Sequence, residues 1–350
     1  MLATGLMRTG YLLTAGLEHA MDAETIRHHI ALRDESMTAM KPDVLALGPA
    51  FTLPKVMEEM QRYFTVHHHR DYPTTLDDEL SQRVRALATE ANRGARSDLL
   101  ALLPKLEIIS LFGVGLDLID LAAARERNLV VTNTPGAVAR EVADLAIGMM
   151  LASTRQIIFA DRFVREGKWK QGPLPLGRSV HDKTLGVIGL GAIGRAIADR
   201  AVAFGMRVAY YGPRRKPDAP YPYVGDVIAL AKASDILMVA CKGGSETHHL
   251  VSAEVIAALG PEGTLVNVAR GSVVDEAALI AALKTATLGY AALDVFENSP
   301  NINEAFLTLP NVIVQPHQGS AARETREAMG LQVVDNLRAH FEGRQLPSPV

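Results

Sequence analysis

Short apolar runs alternate with amphipathic stretches along the chain from about residue 41 onward. Apolar, β-branched runs predict strands, whereas apolar residues spaced three and four apart predict helices. The first half of the chain contains the predicted strands Asp43–Gly48, Arg85–Thr89, Leu106–Phe112 and Leu129–Thr132 and the predicted helices Leu53–Tyr63 and Ile119–Arg127. Strands that alternate with helices are typical of parallel βαβ units.

The same alternation begins again after Val138–Val164, a stretch without proline that predicts one long helix. The second half contains the predicted strands Thr184–Gly189, Arg207–Tyr211, Ile236–Cys241, Thr264–Val268, Tyr290–Val295 and Val312–Gln315 and the predicted helices Ala192–Phe204, Val227–Ala233, Ala253–Leu259, Asp275–Leu283 and Ala321–His340. Two such series predict an α/β protein with two doubly wound parallel-sheet lobes and a cleft between them.

Composition limits the class of protein. The 350 residues are 48% hydrophobic and 21% charged, which is typical of a globular chain long enough for two domains. With a net charge of -3 and no apolar run long enough for a span, we expect neither a nucleic-acid nor a membrane partner. The single cysteine, Cys241, suits a reducing, cytoplasmic location. Residues 1–40 read as an extension of unknown role, because they lack the cationic start and sustained apolar core of a signal peptide.

A glycine pattern follows the predicted strand Thr184–Gly189 and opens the next helix. The segment Gly189-Leu190-Gly191-Ala192-Ile193-Gly194 has the GxGxxG spacing of a dinucleotide-binding turn. In such a turn the helix N-terminus directs free N–H groups at a pyrophosphate. The alternative, a glycine-rich turn that binds nothing, fits this strand–turn–helix context poorly. The predicted cofactor-binding residues are Gly189, Gly191, Ala192, Ile193, Gly194, Arg214, Arg215, Cys241 and Ala269.

The end of the next predicted strand indicates which nicotinamide cofactor binds. NAD enzymes place an acidic residue there for the ribose 2′-hydroxyl. This chain has Gly212-Pro213-Arg214-Arg215-Lys216 instead, with no acid and three cations. Guanidinium groups can bind a 2′-phosphate in bidentate fashion, whereas an acid would repel it. The segment therefore favours NADP(H), with NAD(H) possible, over the alternative of a solvated basic loop.

Three polar residues follow predicted strands in the second half, where ligands bind in open α/β sheets. They are Arg270, Asp294 and His317. Reduction of a 2-oxo acid requires a cation for the carboxylate and an acid that titrates near neutral pH. Arginine suits the first task and histidine the second. Taken singly, an arginine such as Arg270 after a strand is more often part of a surface ion pair, and a lone histidine such as His317 more often has a structural role.

The ordered set of motifs resembles the D-isomer-specific 2-hydroxyacid dehydrogenase family, and the hydroxypyruvate/glyoxylate reductase branch within it. The resemblance runs from about Lys41 to Leu346. It also includes the segments Phe112-Gly113-Val114-Gly115, Asn133-Thr134-Pro135-Gly136 and Val142-Ala143-Asp144-Leu145.

The resemblance implies NADPH-dependent reduction of a small 2-oxo acid, similar to hydroxypyruvate or glyoxylate, to its D-2-hydroxy acid. It implies that Arg270 and the backbone of Val114 and Gly115 bind the substrate carboxylate, that His317 donates the proton, and that Asp294 lies near the nicotinamide carboxamide. The alternatives are an NAD-dependent D-2-hydroxyacid dehydrogenase and a non-enzymatic nucleotide sensor such as a corepressor.

The resemblance also implies the domain organisation. Residues 41–135 with 320–350 would form a flavodoxin-like substrate domain, and residues 136–319 a Rossmann domain. A homodimer is implied, with the long helix that starts near Val138 at its interface.

Ser299 departs from the family pattern. The family has a glutamate at this position, which hydrogen-bonds the catalytic histidine and favours its protonated form. Serine can still orient an imidazole but cannot raise its pKa through charge. Glu297, two residues earlier, could take the place of the missing glutamate if the segment is extended, because it would then lie on the same face as Ser299. If the segment turns, this does not follow.

Histidines occur in consecutive runs, most clearly His67-His68-His69. Consecutive residues in a strand alternate between faces, and no Cys or carboxylate cluster joins them at ligand spacing. We therefore expect no metal site.

Overall fold

The computed structural model describes residues 40–350. Residues 42–350 form one unit that contains two parallel β-sheets. The predicted extension, residues 1–40, lies outside the described residues except for Met40.

The first sheet has the strand order β2-β1-β3-β4-β5, with every neighbouring pair parallel. Its strands are β1 (Asp43–Leu47), β2 (Thr65–His69), β3 (Val84–Glu90), β4 (Ile108–Phe112) and β5 (Val130–Thr132). This order is that of a flavodoxin-like sheet. It confirms the predicted fold of the first lobe, although the prediction did not assign β2.

The second sheet has the order β11-β10-β9-β8-β6-β7 and is also parallel throughout. Its strands are β6 (Thr184–Ile188), β7 (Arg207–Tyr211), β8 (Ile236–Val239), β9 (Thr264–Asn267), β10 (Tyr290–Leu293) and β11 (Val312–Val314). A parallel bridge between Tyr210 and Tyr223 lies where a Rossmann sheet has its outer edge strand. The sheet is therefore a Rossmann sheet whose edge strand is reduced to one bridge.

Helices separate the strands in both lobes. The α-helices are α1 (Pro54–Tyr63), α2 (Asp78–Ser81), α3 (Ser97–Ala101), α4 (Leu121–Glu126), α5 (Pro135–Thr154), α6 (Ile157–Arg165), α7 (Ala192–Ala203), α8 (Val227–Lys232), α9 (Ala253–Leu259), α10 (Glu276–Lys284), α11 (Ala305–Thr308) and α12 (Arg323–Phe341). Short 3₁₀ helices lie at Pro49–Thr52, Lys168–Gln171, Ser245–Thr247 and Gly271–Val273.

The predicted single helix Val138–Val164 is wrong, because the structure has two helices there. The break lies at Gln156, which has a left-handed backbone with φ of 54° and donates a side-chain hydrogen bond to the Tyr290 hydroxyl at 2.6 Å. The two helix axes differ by 58°. Among the described residues, no single helix is long and apolar enough to cross a membrane. Helices α5 and α6 reach the required length and apolar composition only when they are taken together, and they are bent relative to each other.

Helix α5 connects the cores of the two lobes. Its residues Val142 and Ala146 belong to the same cluster of buried side chains as Val187 of the second sheet and Met329 of α12. The central strands are buried on both faces, as is typical of parallel sheets covered by helices. The fold thereby holds the carboxyl ends of the strands, where the predicted site residues lie, on a rigid support.

Candidate active site

The glycine turn after β6 has the shape that a pyrophosphate needs. Gly189 has φ of 93°, and a Cβ there would lie 2.5 Å from the Cα of Cys241. A Cβ on Gly194 would overlap the carbonyl oxygen of Gly189. A Cβ on Gly191, in contrast, would meet no atom within 4 Å. The turn is therefore closely packed on its protein side and open where a phosphate group would approach.

Helix α7 begins directly after this turn. No side chain caps its N-terminus, so the first N–H groups, including those of Ala192 and Ile193, have no side-chain acceptor. Free N–H groups and the helix dipole favour an anion at this position. Burial raises the pKa of the neighbouring Cys241 thiol to about 11. Cys241 is therefore a neutral part of the pocket wall and not a nucleophile.

The basic segment after β7 is available to a ligand. Arg214 and Arg215 are exposed, and neither makes an ion pair with a residue in the described part of the chain. The nearby Asp218 pairs with Arg195 at 2.7 Å. A Cβ on Gly212 would meet no atom within 4 Å. Space and unpaired positive charge thus occur together at the position that distinguishes NADP from NAD.

Asp294 holds the turn that presents His317. Its carboxylate accepts hydrogen bonds from the backbone N–H groups of Gln318 at 2.6 Å and Gly319 at 2.9 Å. The backbone N–H of His317 donates to the Asp294 carbonyl oxygen at 3.0 Å, and His317 has φ of 55°. Burial raises the pKa of Asp294 to about 6, although both N–H donors oppose that shift. Asp294 therefore positions the imidazole, while its contact with the nicotinamide remains a prediction.

The His317 imidazole lies among positive charges. Although His317 is exposed to solvent, the protein around the ring partly desolvates it and lowers its pKa, and the charges of Arg270 and Arg326 lower the pKa further. The described residues provide no side-chain hydrogen bond to the ring. A carboxylate bound at Arg270 would offset one of these charges and favour the protonated ring.

Arg270 joins the two lobes. Its Nε donates to the Oδ2 of Asp117 at 3.0 Å, and its Nη1 donates to the carbonyl oxygen of Ala269 at 2.7 Å. A Cβ on Gly115 would overlap Arg270 Nη2, so the guanidinium lies directly against the Val114–Gly115 backbone. The structure therefore brings together Arg270 and the backbone segment predicted to bind the carboxylate.

Asp117 is a site residue that the sequence analysis did not identify. It lies two residues after Gly115, and its carboxylate accepts a hydrogen bond from Arg270 Nε, which holds the guanidinium against the Val114–Gly115 backbone. The sequence does show an acidic residue close to the segment predicted to bind the substrate carboxylate. An acid at such a position suggests a partner that holds a cationic side chain in place.

The structure does not place Ser299 against the imidazole. Its Oγ donates to the Phe296 carbonyl oxygen at 3.1 Å and accepts from the Phe296 N–H at 3.3 Å. The segment therefore turns, and the expectation that Ser299 orients His317 by a hydrogen bond is wrong for this structure. Glu297 does not substitute, because its Oε1 lies 2.6 Å from Nε2 of His249.

Replacing Ser299 with glutamate, the residue that the family resemblance implies at this position, should raise the pKa of His317, because a carboxylate that pairs with the imidazole stabilises the imidazolium. We expect the basic limb of the reductive pH–rate profile to move upward by about one unit or more. The measurement is kcat/KM against pH for the wild type, S299E and the uncharged control S299Q. If S299E and S299Q give the same limb, the pairing model is wrong.

The consecutive histidines have structural partners. His67 Nε2 lies 2.6 Å from Asp43 Oδ1, and His68 Nε2 lies 2.9 Å from the Gly48 carbonyl oxygen. Among residues 40–350, no group of three or more His, Cys, Asp or Glu side chains is arranged to hold a metal ion.

Comparison with known proteins identifies relatives for nearly all of the described chain. Residues 147–319 match the family model of the D-isomer specific 2-hydroxyacid dehydrogenase NAD binding domain. The 2-ketogluconate reductase of Gluconobacter oxydans is 43% identical over 312 residues, which cover 89% of this chain and 99% of the relative. A glyoxylate/hydroxypyruvate reductase of Arabidopsis thaliana is 49% identical over 267 residues, covering 76% and 85% of the two chains.

A solved structure supports the same relationship. The NADPH-dependent glyoxylate/hydroxypyruvate reductase of Sinorhizobium meliloti, in complex with NADP and malonate, is 40% identical and superposes with a TM-score of 0.84. The match covers 89% of this chain and 97% of that one. Such coverage and identity show that this chain belongs to the D-isomer specific 2-hydroxyacid dehydrogenase family.

Proposed function

We propose that this chain is an NADPH-dependent reductase that converts a small 2-oxo acid, similar to glyoxylate or hydroxypyruvate, to its D-2-hydroxy acid. The observation that carries the proposal is that Arg270 and His317 follow β9 and β11, which lie on either side of β10, and are linked at this sheet edge. The Asn267 amide donates to the Arg270 carbonyl oxygen, the Asp294 N–H donates to the Asn267 carbonyl oxygen, and the His317 N–H donates to the Asp294 carbonyl oxygen. Relatives named for reduction of glyoxylate, hydroxypyruvate and 2-ketogluconate support the same reaction class.

Each site residue has a separate task in this reaction. Arg270 and the Val114–Gly115 backbone bind the substrate carboxylate and fix the direction of its carbonyl group. Asp117 holds Arg270 in place. His317 donates a proton to the carbonyl oxygen in reduction and accepts it in oxidation. When bound, the nicotinamide supplies the hydride.

NADP(H) is the preferred cofactor in this proposal, and NAD(H) remains usable. Gly189, Gly191 and Gly194 form a turn with room for the pyrophosphate, and the unpaired Arg214 and Arg215 are suited to the 2′-phosphate. The NADP complex of the Sinorhizobium relative supports this assignment.

Replacing Gly212 with aspartate should reverse the cofactor preference, because the new carboxylate would repel a 2′-phosphate and accept a hydrogen bond from a 2′-hydroxyl. The open space at Gly212 admits the side chain. We expect the ratio of kcat/KM for NADPH to that for NADH to fall on the order of 100-fold. The uncharged control G212N should change the ratio much less, and equal ratios for the two variants would exclude charge repulsion as the cause.

The domain boundaries and the assembly also remain proposals. We assign residues 41–135 with 320–350 to substrate binding and 136–319 to the nucleotide, in a cytoplasmic enzyme. We further propose a homodimer. Helix α6 has no buried residue, and its Ile157, Phe159 and Val164 side chains are exposed. Beside it lies a cavity of about 640 Å³ lined by apolar residues that include Phe159, Leu307 and Val314. The molar mass in solution tests this assembly.

Turnover of a panel of 2-oxo acids, with NADPH and NADH in parallel, tests the function. We expect glyoxylate or hydroxypyruvate to be reduced with NADPH preferred. A folded protein that binds NADPH but reduces no 2-oxo acid would instead support a nucleotide sensor.

A further inference from the structure

The backbone segment predicted to bind the substrate carboxylate is held in place by the residues that follow β5. The Asn133 side chain donates from Nδ2 to the Val114 carbonyl oxygen at 3.1 Å. The Thr134 N–H donates to the Gly113 carbonyl oxygen at 2.9 Å, and the buried Thr134 hydroxyl accepts from the Gly113 N–H at 2.9 Å. Residues 133 and 134 therefore fix the path of the backbone that continues into Gly115.

Asn133 is in turn held by a segment that is distant in sequence, residues 347–350. The Asn133 carbonyl oxygen accepts from the Ser348 hydroxyl at 2.6 Å, and the Asn133 N–H donates to the Ser348 carbonyl oxygen at 3.2 Å. Thr132 and Pro349 form an antiparallel bridge beside these contacts. The 347–350 segment thus pairs with β5, which is an edge strand of the first sheet.

Ser348 belongs to a buried polar cluster that uses every hydrogen-bonding position of its hydroxyl group. Besides donating to Asn133, the hydroxyl accepts from Asn336 Nδ2 at 3.0 Å and from Gln332 Nε2 at 3.1 Å, both on α12. The Ser348 N–H donates to Asn336 Oδ1 at 3.2 Å. Asn336 is fully buried, and Ser348 is 8% exposed. A hydroxyl has one donor and two acceptor positions, so this one is fully satisfied, and such a network favours a single arrangement.

The cluster joins the two stretches of chain that connect the sheets. One connection leaves β5 through Asn133 and enters α5, and the other leaves β11 through the turn at His317 and enters α12. Ser348 contacts the first connection at Asn133 and the second at Asn336. Its hydroxyl is the closer link between them, because the direct contact from Asn336 Nδ2 to the Asn133 carbonyl oxygen is longer, at 3.4 Å. Without this hydroxyl, Asn133 and the Val114 carbonyl group that it holds would be less firmly positioned.

The position of Val114 affects the substrate because the next residue, Gly115, lies against Arg270. A Cβ on Gly115 would overlap Arg270 Nη2. A carboxylate that is bound by this guanidinium and by the adjacent backbone requires both in fixed relative positions, since such recognition depends on geometry. A misplacement of about 1 Å caused far from the reacting atoms can be costly for an enzyme.

We propose that Ser348 is a positioning residue for the carboxylate site and acts through Asn133 on the Val114–Gly115 backbone. This proposal rests on the reductase function proposed above. Within residues 40–350, the Ser348 hydroxyl bonds to Asn133, Gln332 and Asn336, none of which is assigned to the cofactor or to proton transfer. Loss of the hydroxyl should therefore weaken binding of the 2-oxo acid and spare the chemical step.

Replacing Ser348 with alanine tests this role, because the variant lacks the hydroxyl but keeps the backbone hydrogen bonds of residue 348. We expect KM for glyoxylate to rise by about fivefold or more, with kcat and the Kd of NADPH within about twofold of the wild type. The matched control is S234A, which removes another buried hydroxyl, one that donates to the Leu230 carbonyl oxygen at 2.7 Å. It should leave all three values within about twofold. Thermal unfolding of both variants shows that a change in KM is not a general loss of folded protein.

N133A provides a second measurement, because it removes the amide that links residue 133 to Val114. We expect N133A to raise KM by a similar factor. If Ser348 acts through this amide, the KM of the double variant S348A/N133A should match that of N133A within about twofold, instead of showing both increases multiplied.

The outcomes separate this proposal from the proposed function. If the wild type reduces glyoxylate but folded S348A has an unchanged KM, the positioning role is wrong and the reductase function stands. Multiplied increases in the double variant would likewise overturn the route through Asn133. If the wild type reduces no 2-oxo acid, both proposals are wrong.

Discussion

Replacing His317 with asparagine should lower kcat for 2-oxo acid reduction by about 10²- to 10⁴-fold, the usual contribution of a general acid. Asparagine has a similar size and can still hydrogen-bond a carbonyl oxygen, but it cannot deliver a proton at neutral pH. Asp294 hydrogen-bonds only to backbone N–H groups of residues 317–319, so the substitution should leave the conformation of this turn unchanged. Single-turnover kinetics with NADPH measure the loss.

The lowered pKa of His317 also predicts the direction in which the rate changes with pH. Reduction needs the protonated ring, and partial desolvation together with Arg270 and Arg326 lowers the His317 pKa below its ordinary value of 6.5. Reductive kcat/KM should therefore be highest in acid and fall as the pH rises through this lowered pKa, whereas oxidation should rise over the same interval. H317N should lose both limbs and keep its affinity for NADPH.

An exposed histidine provides the matched control. His181 is near the surface, and H181N should leave kcat and both pH limbs unchanged. A wild-type limb that persists in H317N would assign the titrating group to another residue.

The fold was largely predictable because most strands are central and buried. Runs such as Ile108–Phe112 and Thr184–Ile188 are almost entirely apolar, since helices cover both faces of each sheet. Strand β2 was missed for the converse reason. It is a half-exposed edge strand with the sequence TVHHH, and its histidines pair with Asp43 and a backbone carbonyl, contacts that have no local periodicity.

The break between α5 and α6 could not be predicted from propensity. Neither proline nor glycine occurs at Arg155–Gln156, and Gly148, the one weak point of the pattern, lies inside an unbroken helix. The left-handed Gln156 is accompanied by a hydrogen bond to Tyr290, which is 134 residues away. Such tertiary contacts override local preference.

Sequence motifs located the reacting groups better than the groups that support them. Arg270, His317 and the glycine turn have fixed positions relative to strands, so their convergence follows from topology. Asp117 contacts Arg270 across 153 residues of sequence, and no local pattern in the sequence indicates such a contact. The hydrogen bonds of Ser299 within its own turn depend on local backbone geometry that a motif does not specify.

Replacing Arg270 with methionine should lower kcat/KM for 2-oxo acid reduction by about 10²- to 10³-fold, equivalent to about 3–4 kcal/mol. Methionine keeps the aliphatic length but loses the charge and the fork that binds a carboxylate. It also leaves Asp117 unpaired beside the incoming anion, which adds repulsion. Most of the loss should appear in KM, because binding of the carboxylate precedes the chemical step. Initial rates over a range of substrate concentrations separate the two parameters.

Two further variants distinguish charge from geometry at this arginine. R270K keeps the charge but not the planar fork, so its loss should be intermediate if bidentate binding contributes. G115A keeps Arg270 intact, but the added Cβ would overlap Nη2 and force the guanidinium away from the backbone. A raised KM in G115A with little change in NADPH affinity would show that placement of the guanidinium against Val114–Gly115 matters as much as its charge. An unchanged KM in G115A would mean that the carboxylate binds elsewhere.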